Sequence, residues 1–242
     1  MSVAADAGAV LRDGARIDVI HNAVDLRTFG TPGPAADLDD LSGLPPAPEG
    51  TVRVGLVATF GKWKGHDVFL RALAAVPADA PVRGYVIGGA LYETAGSQHS
   101  ERELRALAAS LGLEGRVGFT GFTDPAPAMR ALDIVVHAST EPEPFGLVIA
   151  EAMAAGRPVV TSALGGAAEL VEAGVDALSH RAGDPASLTA AILRLARSRR
   201  LRACVGARAA RTARRRFDPR RMARQLSSVY DRVASPAGLE VA

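Results

Sequence analysis

One cysteine, Cys204, in 242 residues excludes an internal disulfide and any zinc site built on cysteines. Aromatic residues are scarce at 5%, so the chain carries no stacking platform for single-stranded nucleic acid. No apolar run approaches the roughly 18–20 residues that a membrane helix needs. The opening residues, MSVAADAGAVLRDGAR, lack the basic start and apolar stretch of a secretion signal. His21, His66, His99, His137 and His180 show no paired spacing for zinc. Three nucleotide or hydrolase signatures are also missing: G-x-G-x-x-G after the first strand, the Walker A pattern, and the G-x-S-x-G elbow. The expectation is a soluble, cytoplasmic protein with no metal and no cofactor.

What is present is a large apolar fraction, 48%, enough for a sizeable core. Net charge is +2 but uneven: Arg194 to Arg224 holds thirteen arginines and one acid, Asp218. Such a stretch attracts nucleic acid or an anionic membrane surface, or forms solvated helix faces. With no interleaved aromatics the solvated faces are the better reading. No nucleic acid is expected, and at most peripheral membrane contact.

Residues 30–50 are rich in Pro, Gly and Asp and read as a loop. Ahead of them IDVIHNAVD ends a short β-like run in an Asn turn. Beyond them, strand-like runs at 52–58, 82–88, 116–120, 133–138 and 158–162 alternate with helical patterns. That alternation predicts a doubly wound parallel α/β sheet. Two further helices open at Asp184-Pro185 and Asp218-Pro219, giving a helical tail. The domain reading is a linker-type segment at 1–50 and one sheet domain at 51–242. Ligands of such sheets bind outside the carboxyl ends of the strands.

At those ends lies EPEPFGLVIAEAMAAGRP, residues 141–158. Phe145-Gly146 leads into a helix that stops at Gly156, with Pro158 just beyond. Gly146 leaves the free N–H groups of the first turn, at Leu147 and Val148, open to a phosphate. Glu143 precedes the helix and Glu151 lies inside it. A carboxylate accepts two hydrogen bonds at once, which suits vicinal sugar hydroxyls. Against this, Glu143 also reads as a surface loop residue and Glu151 as a cap for neighbouring backbone. In GLVATFGKWKGHDVFLRAL, residues 55–73, Lys64 is placed to reach a phosphate, or is a solvated loop lysine. Gly88, Gly121 and Gly165-Gly166 stand at strand ends, as close-approach points or ordinary turns. Phe122 packs on a base, in the core or in a lid. The D-x-D pair at Asp37–Asp39 holds a divalent ion beside a diphosphate in some transferases, but here it sits in the Pro-rich connector, away from the sheet.

Together these segments resemble the large retaining glycosyltransferase family of GT-B fold, family 4. The resemblance rests on the two glutamates of EPFGLVIAEAMAAGRPVV, on WKGHDVFLRAL, RVGFTGF and SALGGAAELVE, and on the IDVIHNAVD opening. It covers residues from about 17 to about 232. It implies a Rossmann-like donor-binding domain that takes a UDP-, GDP- or ADP-hexose without a metal. By resemblance Glu143 and Lys64 are catalytic. Glu151 binds the ribose, Glu143 the sugar, and Lys64 with the Gly146 and Leu147 backbone the diphosphate. Residues 119–123 border the base. The donor-binding set is thus Thr59, Lys62, Lys64, Gly88, Gly121, Phe122, Glu143, Phe145, Gly146, Leu147, Val148 and Glu151.

The chain departs from the family pattern twice. Thr59 stands where an arginine is usual, a charge worth about 3–4 kcal/mol to a leaving group, and Lys62 is the candidate substitute. Only a short stretch precedes IDVIHNAVD, where an acceptor domain is normal. The expectations are a missing acceptor domain, supplied by a separate chain or replaced by self-association, and an exposed apolar face, with the helix near Phe217 to Val233 loosely packed. A non-catalytic nucleotide-sugar-binding module is the alternative.

Overall fold

The computed structural model describes residues 17–91 and 96–234 of the chain. The leader-free reading of residues 1–16 falls outside them. Six parallel strands form one sheet: β1 (Val52–Val57), β2 (Val82–Ile87), β3 (Val117–Gly121), β4 (Ile134–His137), β5 (Val159–Thr161) and β6 (Leu178–Ser179), in the order β3-β2-β1-β4-β5-β6. Every neighbouring pair is parallel. The order reverses between β1 and β4, which opens a crevice at their carboxyl ends. The sequence pattern did not show β6, since its two residues pair only with β5 and are too short for a periodicity.

Helices cover both faces, so the strands are apolar along their length rather than alternating. On one face lie α3 (His66–Ala74), α4 (Glu101–Ser110) and α7 (Pro185–Ala196). They bury Phe69, Leu104 and Ile192 against Val54, Leu56 and Val136. The opposite face carries α5 (Pro125–Ala131), α6 (Leu147–Ala154) and α8 (Arg199–Arg216). These bury Met129, Ile149 and Ala209 against Tyr85, Val135 and Val159. Successive strand residues serve opposite faces, as the two-residue period requires: Ile134 and Val136 on one, Val135 on the other.

The Pro-rich connector is more structured than its composition indicates. It holds a short helix, α2 (Leu38–Leu41), capped by Asp37, whose side chain accepts from the N–H groups of Asp39 and Asp40. An earlier turn, α1 (Leu26–Gly30), is capped by Asp25. Val24, Phe29 and Leu38 are buried in the second core. Asp39 is buried beneath the sheet edge. It accepts from Arg83 Nη1 at 2.7 Å, Tyr85 Oη at 2.6 Å, Arg53 Nη2 at 3.1 Å and the Ala47 N–H at 2.9 Å. These bonds outweigh the effect of burial and hold its carboxyl well below the usual range. The D-x-D pair therefore fastens the connector to the sheet: one aspartate is a helix cap and the other an ion-pair hub.

The last helix, α9 (Pro219–Ala234), has no buried residue. It lies beside the N-terminal segment, where Arg232 meets Asp18 at 2.5 Å and Arg221 donates to the His21 carbonyl at 2.6 Å. Leu226, Tyr230 and Val233 are exposed on it. No helix among the described residues is long and apolar enough to cross a membrane.

Candidate donor-binding site

A cavity of about 570 Å³ opens at the carboxyl ends of β1 and β4, within the size range of small-molecule sites. It is bounded by the loops after β1, β2, β3 and β4 and by the start of α6. Of the residues singled out in the sequence, Thr59, Lys64, Gly88, Phe122, Glu143, Phe145, Gly146, Leu147, Val148 and Glu151 all line it.

Gly121 and Lys62 do not line it. Gly121 ends β3 with its carbonyl accepting from Gly88 N–H at 3.0 Å, and the next residue, Phe122, reaches the cavity instead. Lys62 is exposed on the outer side of the 3-10 turn Lys62–Lys64. With three residues per turn, positions two apart point in well-separated directions, so one turn cannot aim both lysines inward. Among the described lining residues Lys64 is the only lysine or arginine. Lys62, the candidate substitute for the charge missing at Thr59, thus lies outside the cavity lining.

Lys64 is aimed by Gly65, which has φ +72° and would place a Cβ 2.1 Å from the Ala138 carbonyl oxygen. Only glycine lets the turn press this closely on the end of β4. The contact is reinforced by Thr140 N–H donating to the Trp63 carbonyl at 2.8 Å. Lys64 Nζ then lies 2.7 Å from Glu143 Oε2.

Glu143 collects further partners. Ser139 Oγ donates to Oε2 at 3.2 Å, and His137 Nε2 stands 3.6 Å away. His137 and the Lys64 ammonium hold the Glu143 carboxyl at about 2, against the upward pull of burial. Its backbone is braced from the loop after β5, since Glu143 N–H donates to the Leu164 carbonyl at 3.3 Å. Glu143 is thus ionised and held, rather than a free loop side chain.

Glu151 is the opposite case. It is half-buried on a helix otherwise wholly apolar, and no hydrogen bond or ion pair engages its carboxylate among the described residues. Burial alone raises its carboxyl above the ordinary value. An acid that faces a cavity without a partner is costly to the fold and suits a ligand with hydroxyl donors.

Gly146 caps α6 with φ +90° and supplies no side-chain bond. The first N–H groups of the helix, at Leu147 and Val148, have no carbonyl to meet inside it and front the cavity at the positive end of the helix dipole. Phe145, just before, sits edge-on to Phe217 from the end of α8 at 5.9 Å and tilted to His21 at 6.0 Å. Asn22, His137 and Ser139 also line the cavity, and sequence reasoning missed them. The signal available was position: His137 ends β4 and Ser139 follows it, at the edge where ligands bind.

The sheet order and the crevice are those of the Rossmann-like C-terminal domain of a GT-B fold. A model of the family described as glycosyl transferases group 1 matches residues 51–198, and the chain belongs to that family. D-inositol 3-phosphate glycosyltransferase of Mycobacterium sp. (strain KMS) is 38% identical over 178 residues, covering 71% of this chain and 38% of the relative. HepE of Anabaena, solved with UDP, superposes with a TM-score of 0.77 at 33% identity, over 88% of this chain and 57% of that one; it has also been solved with UDP-glucose. Sucrose-phosphate synthase of Thermosynechococcus elongatus gives 0.80 at 26% identity, over 95% of this chain and 56% of that one. The chain spans well under half the length of the curated relative and somewhat over half that of these two structures.

Proposed function

We propose that this chain is the donor-binding part of a retaining hexosyltransferase of family 4 type, and that its donor is a UDP-hexose. The observation that carries the reading is the Glu151 carboxylate, without a partner among the described residues, one turn inside a helix whose N-terminus has no side-chain cap and fronts the cavity. The diphosphate meets the N–H groups of Leu147 and Val148 together with the Lys64 ammonium. Glu151 accepts from the ribose hydroxyls and Glu143 from the hexose, while Phe122 borders the base. The helix tip and Lys64 take up the charge that develops on the departing diphosphate, so no metal is needed for that task. UDP is favoured over GDP and ADP because HepE, a third identical, has been solved with UDP and UDP-glucose.

The acceptor is held by protein beyond the described residues, in another segment, a separate chain or a second copy. The exposed Leu226, Tyr230 and Val233 of α9 are the expected contact. A single, exposed cysteine accords with a reducing, cytoplasmic setting.

A second reading, a binding module that does not catalyse transfer, is favoured by one observation: among the described lining residues Lys64 is the only lysine or arginine, and it already engages Glu143.

Thermal shift with UDP, GDP, ADP and their hexose conjugates tests the donor. A ligand at 100 times its Kd adds about 2.7 kcal/mol of stability. Selective stabilisation by UDP and UDP-hexose, weakened in Glu151→Ala, is expected. Equal binding by Glu151→Ala, or no binding of any nucleotide, refutes the reading. Transfer from UDP-hexose when an acceptor-domain chain is added separates the enzyme from the inert module.

A further inference from the structure

We infer that His137 is a positioning residue, fixed as its Nε2–H tautomer by Thr161, which acts through Ser139 to lock one oxygen of Glu143 and leave the other to the donor sugar. This rests on the donor-binding reading for the identity of the sugar, but not for the state of the ring.

The assignment comes from following the hydrogens. Thr161 is fully buried, and its Oγ1 accepts the Ala163 N–H at 3.0 Å. Its hydroxyl proton has one recorded acceptor among the described residues, His137 Nδ1 at 3.2 Å. Were Nδ1 to carry a proton, the Thr161 hydroxyl would be left buried with nothing to donate to, a costly arrangement. Nδ1 is therefore the acceptor, and the ring proton sits on Nε2. On that side Nε2 faces Ser139 Oγ at 3.2 Å and Glu143 Oε2 at 3.6 Å. A bare Nε2 lone pair would point at a carboxylate oxygen, whereas an Nε2–H donates to Ser139 Oγ and leaves that hydroxyl free to donate onward to Oε2.

The bonds then run in one direction: Ala163 N–H to Thr161, Thr161 to His137, His137 to Ser139, Ser139 to Glu143. Every donor has an acceptor, and the three central members, Thr161, His137 and Ser139, are buried. Lys64 and Ser139 both bond the same oxygen, Oε2. No bond engages Oε1 among the described residues, so that oxygen is free for hydroxyls of the hexose. The relay begins just after β5, crosses to His137 at the end of β4 and reaches Glu143 through Ser139 in the same loop, and so ties that loop to two strands of the sheet.

Two measurements test this. Long-range proton–nitrogen correlation on the ligand-free protein reads the ring of His137 directly. The Nε2–H form is expected, with the Nδ1–H form appearing in Thr161→Val. An Nδ1–H or doubly protonated ring at neutral pH in the wild type overturns the assignment. Calorimetry then compares UDP with UDP-glucose. His137→Asn and Ser139→Ala should each abolish most of the extra affinity that glucose confers, so that the ratio of UDP-glucose to UDP affinity falls in both. His137→Gln, whose amide can donate from near the Nε2 position, should restore it. An unchanged UDP-glucose to UDP ratio in both His137→Asn and Ser139→Ala refutes the positioning role. If the wild type binds neither ligand, the donor reading fails, and the tautomer measurement still decides the relay.

Discussion

Replacing Glu143 by glutamine removes one charge that the site stabilises and keeps the shape. In the native protein His137 and Lys64 hold this carboxyl at about 2, where an ordinary glutamate sits at 4.5. A folded-state value below the unfolded one means that ionisation adds stability above the unfolded value, and that the contribution is lost as pH falls from 4.5 towards about 2. The depression corresponds to about 3 kcal/mol at pH 7 and about 1 kcal/mol at pH 3. The Glu143 and Lys64 side chains are only 16% and 22% exposed, so solvent screens the pair far less than a surface bridge. Asp39 also titrates low, but it is common to both proteins and cancels in the comparison. Urea unfolding of the wild type and Glu143→Gln at pH 7, 5 and 3 should therefore show a gap that narrows by about 2 kcal/mol towards acid. A gap that is constant across that range, or that widens at pH 3, refutes the electrostatic account of the site.

Glu151→Gln should behave in the opposite sense. Burial raises the Glu151 carboxyl, so its ionised form costs stability at neutral pH, and wild-type stability recovers as pH falls through the raised value. The variant should melt higher than wild type at pH 7 while binding UDP more weakly, as calorimetry beside a melting curve will show. Asp39→Ala removes the carboxylate that pairs with Arg83, whose side chain is 11% exposed and keeps only the Pro45 carbonyl among the described residues, and it leaves the buried Tyr85 hydroxyl without its acceptor. A loss of about 3–5 kcal/mol in denaturant unfolding is expected. Gly65→Ala forces a Cβ against the Ala138 carbonyl in left-handed backbone. It should lower Tm and weaken UDP binding together, because the same turn carries Lys64.

The regions that could be read from the sequence are those where one pattern dominates. β1, β2 and β4 are buried on both faces, so their runs of Val, Ile and Leu stand out, and α6 is framed by Gly146 and Gly156. The rule that α/β sheets bind ligands at strand ends singles out Glu143, Glu151 and Lys64, and these three line one cavity. What escaped depends on distant partners. Asp37 and Asp39 were read only as part of a connector lying away from the sheet, because the partners that bind Asp39 to it, Arg83 and Tyr85, stand more than forty positions away and are invisible to local reading. Lys62 and Lys64 are equivalent in composition and are separated only by the pitch of a 3-10 turn. His137 looked like any strand-end residue, since its role depends on Thr161 from the neighbouring strand.

Phe145 is where the two flanks of the domain converge. Its ring is held between His21, from the leading segment, and Phe217, from the close of α8, while the Val24 N–H donates to the Phe217 carbonyl at 3.0 Å. The residue that precedes the Gly146 cap of α6 is thus in contact with parts of the polypeptide nearly two hundred positions apart. A change in the packing of either flank would therefore alter the ring contacts of Phe145, the residue directly before the Gly146 cap of α6.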